Sequence, residues 1–476
     1  MDARMTYTIA RREWRERLRN GHFQAVIVAL ALLFLVSFAV SLSQWKSADA
    51  EQRQAQSRDR EQWLNQGSRN PHSAAHFGVY AFKPRLPLSF VDPGLDPYTG
   101  SVIWVEAHYQ NPARFRPAEE ATALQRFGQL TPAVVLQWFL PLFIVLLCFS
   151  AFTAEKEQGT LGLTLALGVP PGQLAAGKAL GVAAAAGCIL LPVALLTGLA
   201  VWVTGPESMR AETWLRLIPM AVSYLAYLAI FAFVSLTVSV VSSSSRASLA
   251  TLLGFWTVAA FVVPRVAADT AETIHPSPLA ADFWREIAIG MRGVDGHSEN
   301  DKRILELKRR TMQKYGVSRA EDLPVNFEGL RLQAGEEHGN ELFDQYYGKL
   351  WSAYERQERL HLAASLTSPL LALRSISMSM AGTDLAHFRD FTEATERYRR
   401  SLNKAMNLNV ANHSRTGEYY YFADRSLWES IPAHQYSSPT LAWALHRQVL
   451  PAVILSVWLF ASIAAFRFAT NRMKPL

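Results

Sequence analysis

The sequence predicts an α-helical membrane protein: six transmembrane helices with a large, mainly helical, partly β extracytoplasmic domain. Two observations carry that prediction. Half of the 476 residues are hydrophobic, yet they fall in blocks separated by strongly charged stretches. A single soluble core would spread them more evenly. Basic residues also gather beside the blocks, as they do at the cytoplasmic ends of membrane helices.

The apolar segments are residues 23–43, 131–152, 179–204, 217–241, 247–264 and 447–467. Each is about 18 to 26 residues long, enough at 1.5 Å per residue to cross about 30 Å of hydrocarbon. An even count returns the chain to the side on which it began. Arg11, Arg12, Arg15, Arg17 and Arg19 precede the first segment, and Arg467, Arg472 and Lys474 follow the last. That side is expected to be cytoplasmic, so both termini lie there. Residues 1–22 then form a cytoplasmic amphipathic helix, 153–178 a cytoplasmic loop and 468–476 a cytoplasmic tail. Residues 44–130 and 265–446 form the two parts of the outer domain. Ala48-Asp49-Ala50 has the form of a signal-peptidase site, but the apolar run before it is too long for a cleaved leader, so the first span is retained.

The net charge of +7 is accounted for by the placement of these arginines, and nucleic-acid binding is not expected. Cys148 and Cys188 both lie in spans and read as small buried hydrophobes, with no disulfide framework. No span carries an ionisable residue in its interior. A mid-bilayer charge costs at least about 3 kcal/mol and is kept for function, as in ion-coupled transport. Its absence argues that any driving energy enters from outside the bilayer.

The inner loop is the most informative segment. Glu155, Lys156 and Glu157 leave the second span, Gly159 turns the chain, and Thr160 offers a helix N-cap. Leu161 and Leu165 pair at i, i+4, as do Leu163 and Leu167, before Gly168 and Pro170-Pro171 end the helix. Such a helix is too short to span a bilayer and too apolar to lie bare in water. It calls for a groove on a partner.

This acidic-basic-acidic run followed by Gly159-Thr160-Leu161 resembles the coupling-helix motif of ABC-2-type transporter permeases. Gly177-Lys178 and the opening Ala10-Arg11-Arg12-Glu13-Trp14 are similar to that family too. Asn70-Pro71-His72-Ser73-Ala74-Ala75-His76-Phe77-Gly78 and Asp92-Pro93-Gly94-Leu95-Asp96-Pro97-Tyr98 look like outer-loop segments of a subgroup with a large extracytoplasmic domain of unknown function. The resemblance implies a multi-pass permease of a bacterial inner membrane, surrounded by lipid. It would work with a second permease copy or paralogue and a dimer of separate ABC ATPase subunits. ATP and magnesium would then belong to the ATPase, and this chain would be a transporter subunit, not an enzyme. By that resemblance the residues coupling to the ATPase would be Glu155, Lys156, Glu157, Gly159, Thr160, Leu161 and Leu165, with Glu155 and Glu157 meeting basic groups there and Gly159-Thr160 setting the docking angle.

Gly172 to Ala179 imitates the start of a phosphate-binding loop, G-x4-G-K. It lacks the final hydroxyl and a preceding strand, so no nucleotide is expected on this chain. His72 and His76 are four apart, but without a nearby cysteine or carboxylate they read as structural or solvent-facing, and no metal is expected. In the outer domain, residues 46–66 prolong the first span as a helix, and Ser101 to Glu106 read as a strand. Phe388, Phe391, Ala394, Tyr398, Leu402 and Met406 form one apolar helical face. The Tyr419-Tyr420-Tyr421-Phe422 cluster reads as core or interfacial. The reading from another class is a membrane-anchored scaffold or sensor acting through the outer domain.

Overall fold

The computed structural model describes residues 2–19, 21–120, 129–204, 207–292, 301–418 and 420–473, so Tyr419 and Lys474 lie outside the described residues. The amphipathic N-terminal helix is α1 (Ala3–Arg19), and α2 (Gly21–Leu64) runs unbroken from the first apolar segment through the polar stretch beyond it. Asn70 caps α3 (Pro71–Phe77) by accepting from His72 N, and Gly78, at φ 68°, ends it. A side chain there would meet Trp104 Nε1 at 2.5 Å, so this turn requires glycine. Strands β1 (Val79–Phe82) and β2 (Val102–Val105) pair antiparallel, Val79 opposite Val105 and Phe82 opposite Val102.

Next come α4 (Pro132–Glu157), α5 (Thr160–Ala166), α6 (Pro171–Thr204), α7 (Glu207–Val241) and α8 (Ser245–Ile274). The polar domain adds α9 (Ala280–Gly290), α10 (Lys302–Tyr315), α11 (Phe327–Ala364), α12 (Pro369–Ala381) and α13 (Leu385–His413), and the last long helix is α14 (Val449–Asn471). Among these, α2, α4, α6, α7, α8 and α14 are the six helices long and apolar enough to cross a membrane. The chain is a helical, multi-pass membrane protein.

The bundle has two kinds of apolar surface. Phe34, Phe143, Val182, Tyr227, Phe231, Leu252 and Leu455 meet in its interior. Val36 of α2, Leu195 of α6 and Phe460 of α14 point outward and are more than half exposed. An apolar girdle of that extent is tolerable in lipid and not in water. Cys148 is buried as expected, but Cys188 is exposed on α6, because its position turns away from the bundle.

Two spans carry a π-turn beside a proline, Val135–Phe139 before Pro141 and Val258–Val262 before Pro264. Proline leaves backbone acceptors short of a donor, a serious cost in hydrocarbon. Here side chains supply the donors. The Tyr227 hydroxyl donates to Gln137 O at 2.9 Å, the Trp256 indole to Trp138 O at 3.1 Å, and Ser368 Oγ to Ala259 O at 2.6 Å.

That last bond exposes a feature absent from the sequence reading, which assigned all of 265–446 to the outer domain. Helix α11 descends and α12 climbs back, and the turn between them reaches deep into the bundle. Ser368 meets Ala259 midway along α8, and Ser365 O accepts from Trp458 Nε1, midway along α14, at 3.0 Å. Leu370, Leu373, Ile376 and Met380 are buried in the core of the spans. The pair α11–α12 is a re-entrant hairpin. The segment 92–98 seals its upper end. Lys83 bonds both Asp96 and Gly382 O, and Gly94 lies so close to Thr383 that a Cβ would sit 2.4 Å from its hydroxyl.

The polar domain has its own core. Trp63, at the far end of α2, is fully buried and donates to Trp428 O at 3.0 Å. Around it lie Phe391, Leu402 and Met406 of α13, with Phe388 and Tyr398 packed against them, five of the six residues of the apolar face read from the sequence. Val79, Ile103 and Val105 of the hairpin close the cluster.

His434 sits in the strap after α13, against Tyr398 and Thr395. Burial pulls its pKa down from the usual 6.5 to about 4. The unfolded chain therefore binds a proton that the folded domain refuses, and stability present above pH 6.5 is lost as pH falls toward 4. Amide protection factors across residues 431–440 are expected to fall over that window, and His434→Gln to flatten the dependence. A strap equally protected at pH 7 and pH 4.5 would refute it.

Candidate functional site

The loop between α4 and α6 is shorter than 153–178. Residues 153–157 continue as a helical turn of α4, and 171–178 already belong to α6. Gly172 to Ala179 is thus regular helix and offers no loop of backbone N–H groups to cradle a phosphate. Between the two lies α5. Gly159, at φ 71°, is its N-cap, so Thr160 occupies the first helical position instead of capping it, and its hydroxyl donates to Glu155 O at 3.3 Å. At the other end Val169 N donates to Thr164 O and Gly168 N to Leu165 O, the 6→1 and 5→2 bonds that close a helix on a left-handed glycine.

Its leucines divide. Leu161 and Leu165 turn inward and are buried, whereas Leu163 and Leu167 are 61 % and 76 % exposed. The face available to a partner is therefore Leu163/Leu167, and Leu161 with Leu165 anchors the helix to its own bundle. Spacing could pair the leucines, but only the fold could say which pair faces out.

The three charged residues are used within the chain. Lys178 of α6 is 1 % exposed and donates to Glu13 Oε1 of α1 at 2.6 Å and to Glu155 Oε1 at 2.8 Å, over the face of Phe152. Helix α1 comes near enough because Gly177 and Gly181 line its track: a Cβ at either would lie 2.5 Å from Ile9 or 2.8 Å from Glu13. Lys156 donates to Val240 O and to Ser242 O, the free carbonyls at the end of α7. Glu157 accepts from Ser245 N and Ser245 Oγ, both at 2.8 Å, where α8 begins. Within the chain, Glu155 and Glu157 thus already have contacts at home. Glu155, Lys156 and Glu157 fasten this turn to α6, α7 and α8 respectively. Sequence reasoning singled out Gly177-Lys178 but not the ion pairs, which join residues 23 and 165 apart.

At the opposite end of the bundle lies a cleft of about 1970 Å³ between the polar domain and the ends of the spans. Three arginines on its walls stack on tryptophans: Arg374 on Trp138, Arg389 on Trp351 and Arg447 on Trp443. Burial, with the charges of Asp384 and Glu355 adding to it, pushes the Glu358 carboxyl up to about 7. From the floor a buried polar chain runs into the spans. Arg374 donates to Gln137, Gln137 to the Tyr224 hydroxyl at 3.0 Å, that hydroxyl meets Ser377 Oγ at 3.1 Å, and Ser377 donates to Asp92 at 2.5 Å.

Compared with known proteins, residues 280–437 match the family described as a domain of unknown function (DUF3526). The match begins at α9 and takes in the re-entrant hairpin and α13. No curated protein matches the chain.

Breaking a buried charge pair by removing one partner costs about 3 kcal/mol, because the other charge is left unpaired. Lys178→Met leaves Glu155 without its ammonium and Glu13 with Arg17 alone, and should free α1, raising its amide exchange about 100-fold at the same global fold. Adding Glu13→Gln and Glu155→Gln should restore most of the protection. Unchanged protection of α1 in Lys178→Met would remove the network from its assigned role.

Proposed function

We propose that this chain is the permease subunit of an ATP-driven exporter of the ABC-2 type, worked through α5 by a separate ATPase. One observation supports the reading above the others. A two-turn helix seated on the bundle by one face turns Leu163 and Leu167 outward, and its flanking residues are tied to α1, α6, α7 and α8 together. A push on Leu163 and Leu167 is thereby delivered to four helices at once, with little slack, because the contacts are charged and the ammonium at their centre is buried. The resemblance of the loop to the ABC-2 coupling motif supports the same reading. The match to a domain of unknown function adds no role of its own.

On this reading the face bearing α1 and α5 is cytoplasmic, the polar domain lies outside, and the cleft is where cargo leaves the bundle. The arginine–tryptophan pairs of its walls suit a cargo with both apolar surface and negative charge. The chain supplies no nucleotide chemistry.

The test is reconstitution with candidate ABC ATPase subunits from the same genome. The two should co-elute in mild detergent, and the permease should stimulate ATP hydrolysis. Leu163→Asp with Leu167→Asp should cut both at least about 10-fold, since a charge on each anchor of an apolar groove costs that much or more. Melting temperature should not move, as both side chains are already in solvent. An ATPase that binds the double variant as well as the wild type excludes this docking face, and failure to find any ATPase partner favours the scaffold reading.

A further inference from the structure

The fold adds a third histidine to the pair that the sequence presents on α3. His72 and His76 stand one helical turn apart on the same face. The β1–β2 hairpin then carries the chain back, and His108, just past β2, comes to rest against both. The ring centroids lie 4.8, 4.9 and 5.1 Å apart, a nearly equilateral triangle. One ring nitrogen from each falls within 4.8 Å of the others, and His72 Nε2 and His76 Nε2 are 3.2 Å apart. Nitrogens about 2.05 Å from a tetrahedral ion are separated by about 3.3 Å. Two ligands thus already have the spacing, and the third needs a shift of about 1.5 Å, within reach of a ring rotation.

The outer nitrogens are also held. His72 Nδ1 lies 3.1 Å from Asn407 Oδ1 of α13, and His108 Nδ1 lies 2.9 Å from Glu336 Oε1 of α11. Each partner is an oxygen set beside Nδ1, and His72 thereby keeps its Nε2 toward His76. That is how metal-bound imidazoles are commonly oriented. His108 further adopts φ 67°, a conformation that non-glycine residues avoid, and its backbone N–H donates to the same Glu336 oxygen at 2.8 Å. The chain accepts a strained backbone to keep this ring where it is.

We propose that His72, His76 and His108 form a three-imidazole site for a transition-metal ion of the zinc class, its fourth position open to water. Imidazole ligands without thiolate or coordinating carboxylate select zinc, copper(II) or nickel over magnesium or calcium. The opening is on the side of His76, which is exposed, while His108 is buried. A bound ion would tie α3 to the stretch after β2, and Asn407 and Glu336, which touch two of its ligands, would extend that tie to α13 and α11, more than two hundred residues away. The proposal is independent of the exporter reading.

The test uses the full-length, untagged protein in detergent, stripped with a chelator. Titration with Zn2+ should show one ion per chain, and Co2+ should give the visible absorption of four-coordinate cobalt. His76→Ala removes an exposed ligand with little consequence for folding, and should weaken Zn2+ binding at least about 100-fold. Asn407→Ala leaves all three ligands in place and should weaken it about 10- to 100-fold. Mg2+ and Ca2+ should not compete. Absence of stoichiometric Zn2+, Co2+, Ni2+ or Cu2+ binding by the wild type overturns the proposal. So does a His76→Ala protein that binds Zn2+ as tightly as the wild type.

Discussion

A single ammonium group organises one end of this molecule. Lys178 is nearly devoid of solvent, and a charge in that position is tolerable only because two carboxylates converge on it. One belongs to α1 and the other to the turn that leads into α5, so the ion that must be neutralised also decides where two otherwise independent elements sit. The two glycines flanking its approach are part of the same constraint, since any larger residue would hold α1 off and take Glu13 from Lys178. Lys156 and Glu157 extend the arrangement to the ends of α7 and α8, where free carbonyls and free N–H groups need partners in any case. Helix-end chemistry and a buried ion pair together make one rigid platform of five segments.

The other end is organised by apolar contacts, by neutral polar contacts and by buried ion pairs such as Arg399 with Glu336 and Glu396. Helix α2 continues far past the length a bilayer needs, and its last turn is buried in the polar domain through Trp63. The re-entrant hairpin makes the reverse connection, lowering part of the domain among the spans. Its Ser368 donates to a carbonyl that Pro264 leaves short of a donor, so the proline-induced irregularity of α8 and the descent of the hairpin account for each other. The domain and the bundle are therefore fastened at two places: a rod running up and a hairpin running down, with the cleft between them.

Much of this was legible in the sequence. Six apolar blocks gave six helices, because span length and hydropathy are properties of contiguous residues. The face through Phe391, Leu402 and Met406 was readable for the same reason. What escaped is set by contacts distant in sequence. The hairpin left a signal, since residues 362–381 are apolar or small with Arg374 as their sole Lys, Arg, Asp or Glu, but α12 is too short to register as a span and α11, though long, is too polar. Leu161 and Leu165 were chosen over Leu163 and Leu167 on spacing that fits either pair. The charges of the 155–157 run were referred to a partner because their actual companions, Lys178 and the ends of α7 and α8, are brought to them by the packing of the helices. His108 lies 32 residues beyond His76 on an irregular stretch, where no periodicity points to it.

The two fastenings differ in kind, and the difference bears on how motion could pass through the molecule. The platform around Lys178 is a web of charged and helix-end bonds, which hold direction strictly and resist shear. The polar chain from Arg374 through Gln137, Tyr224 and Ser377 to Asp92 consists largely of rotatable hydroxyl and amide groups, which can exchange partners at small cost. A tilt of α7 imposed at the platform would move Tyr224 and Tyr227 together. Tyr227 serves the π-turn of α4, and Tyr224 serves the hairpin, so both would have to rearrange at once. The floor of the cleft is built of the very groups that such a tilt would displace.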